Sequence, residues 1–151
     1  MSLESVRAWF AEHAPDIEVL VTDTSSATVA EAASTHNVEP AQIAKTICVR
    51  AGDKVLLIVT SGASRLDNKK FKAAFGVRPR MLGADEVLLL TGHPVGGVCP
   101  FGLATDLPVY CDVSLQRFEI VVPAAGAGNA AVLITTARMA DLTKSSWVDV
   151  C

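Results

Sequence analysis

Residues Thr91 to Gly102, TGHPVGGVCPFG, place four glycines, two prolines, one histidine and one cysteine in twelve positions. A main chain so free of side chains can approach a ligand closely, and N–H groups exposed in a turn suit a carbonyl oxygen or a developing oxyanion. Gly96 and Gly97 are able to adopt positive φ, and Pro100 fixes the exit of the loop. The same residues also serve a tight connection between a helix and a strand. Other phosphate and nucleophile loops are excluded by spacing. Val98 stands where a Walker A loop needs lysine, the glycines do not supply G-x-G-x-x-G, and G-x-S-x-G is absent.

Lys45 directly precedes the apolar run TICV. A lysine there either lays its stem along apolar surface or supplies a cation to a partly dry cleft. Cys99, inside the glycine loop, has His93 as its near neighbour in sequence, so a thiol nucleophile and an inert buried cysteine both fit. Three histidines and four cysteines show no paired metal-ligand spacing, so neither a metal nor another cofactor is expected. Lys69, Lys70, Lys72, Arg78 and Arg80 form a concentrated basic run. That run is either a solvated helix face or a contact for a nucleic-acid end.

The elements that must position these residues belong to a chain of 151 residues, half of them hydrophobic and 19% charged. One compact domain spanning 1–151 is expected. The longest apolar run, Val55 to Thr60, is too short to cross a membrane. The N-terminal stretch has amphipathic spacing and not the plan of a secretion signal, so a cytoplasmic protein with reduced thiols is expected. Thirteen basic against sixteen acidic residues give a net charge of −3, which excludes a protein that coats long nucleic acid.

Apolar periodicity predicts a helix ending near Pro15 with Ser2 as its N-cap, and a strand over Ile17–Thr22. Thr28 and Glu31 have capping-box spacing before a second helix, which Asn37 ends, and Pro40 suits the first turn of another. KTICVR and KVLLIVT flank a short glycine connector and read as a β-hairpin. Asp67 caps a helix stopped by Gly76, and another helix closes at Gly92. Strands are expected in PVYCDV, FEIVVP and AVLITT, followed by a short helix capped by Thr136. The order predicts an α/β (α+β) fold: a mixed, largely antiparallel sheet with packed helices.

AKTICVR, RLDNKKFKAAFG, TGHPVGGVCPFG and PVYCDVSL, in that order and spacing, resemble the YbaK/EbsC family and the editing domain of bacterial prolyl-tRNA synthetase. The similarity runs from about Thr24 to about Leu142. It implies a free-standing aminoacyl-tRNA deacylase, acting on a small amino acid carried by proline tRNA. Lys45 matches the family's functional lysine, with Thr46 beside it as a substrate contact. Gly96 to Pro100 matches the family's G-x-x-x-P loop, which implies that Gly96, Gly97 and Val98 present N–H groups to the ester and that Cys99 and Pro100 border the substrate. Gly126 and Gly128 lie in a second glycine turn near the same pocket. Cys99 stands where many members have serine, and NAAVLITT lacks the carboxylate some members carry there, which leaves the amino-acid preference open. The implied partners are the acceptor end of an aminoacyl-tRNA, touched by the basic run, and prolyl-tRNA synthetase, with the protein a monomer or weak dimer. Two alternatives stand beside this reading: a non-catalytic module that binds an amino acid or nucleotide end, and a thiol redox enzyme centred on Cys99.

Overall fold

The computed structural model describes residues 2–151. The chain runs α1 (Ser2–His13), β1 (Leu20–Val21), α2 (Val29–His36), a 3-10 turn at Pro40–Gln42, β2 (Ile43–Ala51), β3 (Lys54–Ser61), α3 (Asn68–Phe75), β4 (Arg80–Met81), α4 (Ala84–Thr91), β5 (Val109–Asp112), a 3-10 turn at Val113–Arg117, β6 (Ile120–Pro123), β7 (Ala130–Ala131), β8 (Ile134–Thr135), α5 (Thr136–Leu142) and β9 (Ser146–Val148).

The local signals explain most of these elements. The Thr28 hydroxyl accepts from the Glu31 N–H, and Asn37 closes α2 in the left-handed region at φ 56°. The Asp67 carboxylate accepts from the N–H groups of Lys69 and Lys70, which also holds its pKa below the ordinary carboxylate value. Gly76 at φ 81° and Gly92 at φ 78° end α3 and α4, where a side chain would be strained.

The hairpin β2–β3 pairs over eight residues, from Ala44 with Ser61 to Ala51 with Lys54. It is the centre of a mixed sheet in the order β8-β6-β2-β3-β5-β9, with β4 also pairing β2. The β3–β5, β5–β9 and β2–β6 pairs are parallel, and the others in this sheet are antiparallel. Side chains alternate across β2. Ala44 and Cys48 enter the main core with Val6, Phe10 and Phe101, while Val49 packs on the other face with Leu56, Ile58, Phe71 and Val150. The Phe10 and Phe101 rings lie 4.7 Å apart, and burial of each contributes roughly 2–3 kcal/mol.

Several expected boundaries are corrected. Ser2 is the first helical residue, and its hydroxyl turns to His93 Nδ1. The strand expected over Ile17–Thr22 contracts to Leu20–Val21, which pairs with Ala130–Ala131. AVLITT divides between β7 and β8. Thr135, not Thr136, caps α5 by accepting from the Arg138 N–H; the Thr136 hydroxyl donates to Phe118 O instead.

Candidate functional site

The outer edge of β2 carries two short neighbours with a gap between them. β6 pairs with Ile43 and Ala44, then leaves at Pro123, which has no N–H to continue the ladder. β4 pairs with Val49 and Arg50. Residues 45–48 therefore face no strand on that edge among the described residues. The phase of the hairpin follows from two bonds: Gly62 N–H donates to Ile43 O, and Leu57 N–H, opposite Cys48, turns away to Pro108 O. Odd residues of β2 thus direct their main-chain groups at β3, and even residues at the outer edge. The N–H and C=O of Thr46 face the gap.

A cavity of about 320 Å³ opens there. Its floor is residues 43–48, and its walls include Ser26 to Val29, Val122, Ala124, Ala131 and the loop residues Val95, Gly96 and Val98. Met81 and Val95, 70% and 73% exposed, stand at its rim. No carboxylate among the described residues lines it. The walls are tied by main-chain bonds: Ser26 N–H donates to Gly128 O at 2.7 Å, and Gly126 N–H to Gly97 O at 2.9 Å. Gly96, at φ 92°, would bring a Cβ to 3.0 Å from Ala27 Cβ, so its lack of a side chain lets two walls meet.

Lys45 lines the cavity, and its ammonium donates to the carbonyl of Ser64 in the β3–α3 connection. Burial pushes its pKa below the ordinary lysine value, and Arg65 adds a smaller push in the same direction while Cys151 opposes it. Thr46 also lines the cavity, and its buried Oγ1 has no hydrogen-bond partner.

The structure brings Lys45, Thr46, Gly96 and Val98 together and separates the remaining expected site residues from them. Gly97 is buried, and its N–H donates to Pro94 O at 2.9 Å. That bond removes it as an oxyanion donor in this arrangement. A Cβ at Gly97 would lie 2.5 Å from Ala127 N, so the glycine is required for contact between the two glycine turns. Gly126 and Gly128 hold walls without lining the cavity, and buried Pro100 is also off its surface. Cys99 has no exposed surface and no place in the lining. Burial pushes its thiol up to about 12. His93 is equally buried, and its Nε2 must donate to Phe101 O, 2.7 Å away, because a carbonyl only accepts. Nδ1 then accepts from the Ser2 hydroxyl. The neutral tautomer so fixed, with a pKa lowered by burial, offers Cys99 no base.

The basic residues Lys69, Lys70, Lys72, Arg78 and Arg80 are all exposed and lie outside the cavity. Lys70 is already engaged by Asp149 and Cys151 O. Arg80 adjoins the rim residue Met81 in β4. Sequence reasoning missed the wall at Ser26 to Thr28. Its only early signal was the capping box at Thr28, which reports a helix start and not a pocket.

The model of the aminoacyl-tRNA editing domain matches residues 23–142. The chain belongs to this family. The protein YwhH of Bacillus subtilis (strain 168), which has no assigned function, is 48% identical over 153 aligned residues, spanning 100% of this chain and 98% of its own length. A proline–tRNA ligase of Solidesulfovibrio magneticus is 34% identical over 108 residues, covering 70% of this chain and 18% of the ligase. The editing domain also superposes on a crystal structure described as a candidate trans-editing enzyme for prolyl tRNA synthetase. That match has a TM-score of 0.91, 30% identity, and coverage of 99% of this chain and 96% of the other. Both the mixed α/β fold and the kinship with the prolyl-tRNA synthetase editing region follow from these matches. No described helix is long and apolar enough to cross a membrane.

Proposed function

We propose that this protein hydrolyses, in trans, the ester of a mischarged aminoacyl-tRNA carrying a small amino acid, with proline tRNA as the carrier. The observation that carries this reading is the cavity at the interrupted β2 edge, where Lys45, Gly96 and Val98 meet in a mostly apolar enclosure. An aminoacyl ester is already activated, so positioning and charge stabilisation suffice for much of the acceleration. Water adds to the ester carbonyl, the bond to the ribose oxygen breaks, and that oxygen leaves with a proton. The products are the free amino acid and a tRNA ending in a hydroxyl.

In this reading Lys45 supplies the cation. Its ammonium has three N–H donors, so the bond to Ser64 leaves others for the ester carbonyl or the terminal phosphate. Gly96 and Val98 replace Gly97 as the loop residues that border the carbonyl. Arg80, beside the rim, and the exposed lysines of α3 contact the acceptor end, and the reaction belongs in the cytoplasm beside prolyl-tRNA synthetase.

A panel of tRNAs charged with different amino acids tests the proposal. Release of a small amino acid from proline tRNA, well above the rate without protein, supports it. Binding of the charged end with no release from any tRNA would favour the non-catalytic module. A redox role for Cys99 is disfavoured by its burial and raised thiol pKa.

A further inference from the structure

Asp112, at the end of β5, is a carboxylate only 1% exposed, and it does not line the cavity. Its Oδ2 accepts from Ser114 N–H at 2.9 Å and its Oδ1 from Val150 N–H at 2.8 Å. Each partner continues to a further bond. Ser114 Oγ accepts from Ser61 N–H at 3.1 Å, and Val150 O accepts from Asp67 N–H at 2.8 Å. Ser61 ends β3 and Asp67 caps α3, so the two arms grip both ends of the connection between these elements. Ser64, in the middle of that connection, presents the carbonyl that receives the Lys45 ammonium.

The geometry points to Asp112 as a positioning residue for Lys45: it fixes the β3–α3 connection at both ends and so sets where the Ser64 carbonyl holds the ammonium. This inference rests on the reading of Lys45 as the cation of the aminoacyl site and adds what aims it. A lysine carries its charge on a flexible stem, so its head is located only as well as its partner. The partner here is a main-chain carbonyl in residues 62–67, a stretch without helix or strand. The local tie of that stretch, Ser64 N–H to Ser61 O at 3.0 Å, leads back to the same anchor. Burying a carboxylate is costly, and capping the 3-10 turn that begins at Val113 does not by itself require burial. Two arms that meet on one connection give the burial a purpose, because a misplacement of about 1 Å is enough to slow a reaction severely. Since Asp112 lies off the cavity surface, its loss is expected in the rate and not in substrate binding.

The test uses two variants of the full chain. Asp112→Asn keeps the shape but sets one arm against an amide nitrogen that cannot accept, and Ser114→Ala removes one arm while sparing the carboxylate. Each is made alone and together with Lys45→Ala. Deacylation of proline tRNA charged with alanine is measured per folded molecule, beside thermal unfolding. For Asp112→Asn the expected result is kcat lower by about tenfold with KM within about twofold. Ser114→Ala should lose about threefold. Neither should lose more in the Lys45→Ala background, because the group they position is then gone. Acetylation of Lys45 by acetic anhydride, read by mass spectrometry against exposed Lys54, gives a readout that needs no turnover. A loosened Ser64 carbonyl frees the amine, so relative labelling in Asp112→Asn should rise by about threefold. Parental turnover in folded Asp112→Asn, losses that multiply with that of Lys45→Ala, or unchanged labelling of Lys45 overturns the inference and leaves Asp112 a structural clamp. If Asp112→Asn does not fold, Ser114→Ala decides by the same three readings. Absence of hydrolysis by the parent on any charged tRNA overturns the deacylase reading instead, and the labelling still decides whether Asp112 places Lys45.

Discussion

The two sides of the glycine loop differ in what their residues suggest and in what their surroundings permit. On the inner side lie Cys99 and His93, the side chains most readily associated with catalysis, with Cys99 Sγ 3.6 Å from His93 Nε2. They are sealed: both protons are committed to Phe101 O, the free lone pair of His93 Nδ1 accepts from the Ser2 hydroxyl, and no solvent reaches them. On the outer side lie Val95, Gly96 and Val98, which carry no titratable group, yet they border the cavity with Lys45 and Thr46. Residue type is therefore a poor guide to function unless access is considered with it. A cysteine beside a histidine becomes a nucleophile only when the histidine has a free lone pair and the thiolate is solvated or paired.

The largest effect that would sharpen this contrast is expected at Lys45. Lys45→Ala should lower kcat/KM for deacylation by about a hundredfold or more, with a cooperative unfolding transition preserved. A folded variant with the parental rate would move the chemistry away from the cavity. Gly97→Ala comes next. Its Cβ would meet main-chain atoms of Gly126 and Ala127 at 2.5–2.9 Å, so both stability and turnover should fall, stability by roughly 3 kcal/mol. Gly76→Ala, where nothing lies within 4 Å but φ is 81°, should cost about 1–2 kcal/mol and leave turnover per folded molecule unchanged. Full stability with lost turnover at Gly97 would restore it as a direct substrate contact.

A smaller effect concerns pH. Burial lowers the pKa of His93 below that of the unfolded chain. Between the two values the unfolded state binds more protons, so stability is complete above about pH 6.5 and declines as pH falls through that window. His36 is shifted the same way by burial and adds to the slope. Chemical denaturation from pH 7.5 to pH 5 should show the decline, and His93→Gln should flatten part of it; an unaltered slope would show that His93 does not titrate there. The smallest effect is expected at Cys99. Cys99→Ser should keep deacylation within about threefold of the parent, since a thiol held near 12 is not a nucleophile at neutral pH. Loss of all activity, with an acyl-thioester trapped in the parent, would invert the two sides of the loop.

Signals that act over a few residues were legible in the sequence. Thr28 with Glu31, Asn37, Asp67, Gly76 and Gly92 mark helix ends because each acts through its own neighbours. The β2–β3 hairpin was readable for the same reason. Arg80–Met81 and Ser146–Val148 escaped notice because two- or three-residue strands exist only through partners distant in sequence. Lys45 and the loop at Gly96 stood out by residue type and spacing, and the resemblance is what chose between their structural and functional readings. The surroundings of Gly97 were not legible, because the carbonyl that takes its N–H and the turn that crowds it become visible only when Pro94 and Ala127 have positions. Thr46 could be named in advance, but its unmet oxygen is a property of packing.

The interrupted edge of β2 has a consequence for solubility. An exposed strand edge is a template on which other chains add and aggregates grow. Here the open stretch is four residues, 45–48, shorter than an ordinary strand. β6 and β4 block its two ends, and residues 26–28 and 95–98 stand beside it. An incoming polypeptide cannot lie along that slot far enough to form a ladder, so this stretch of bare main chain is a poor template for fibril growth.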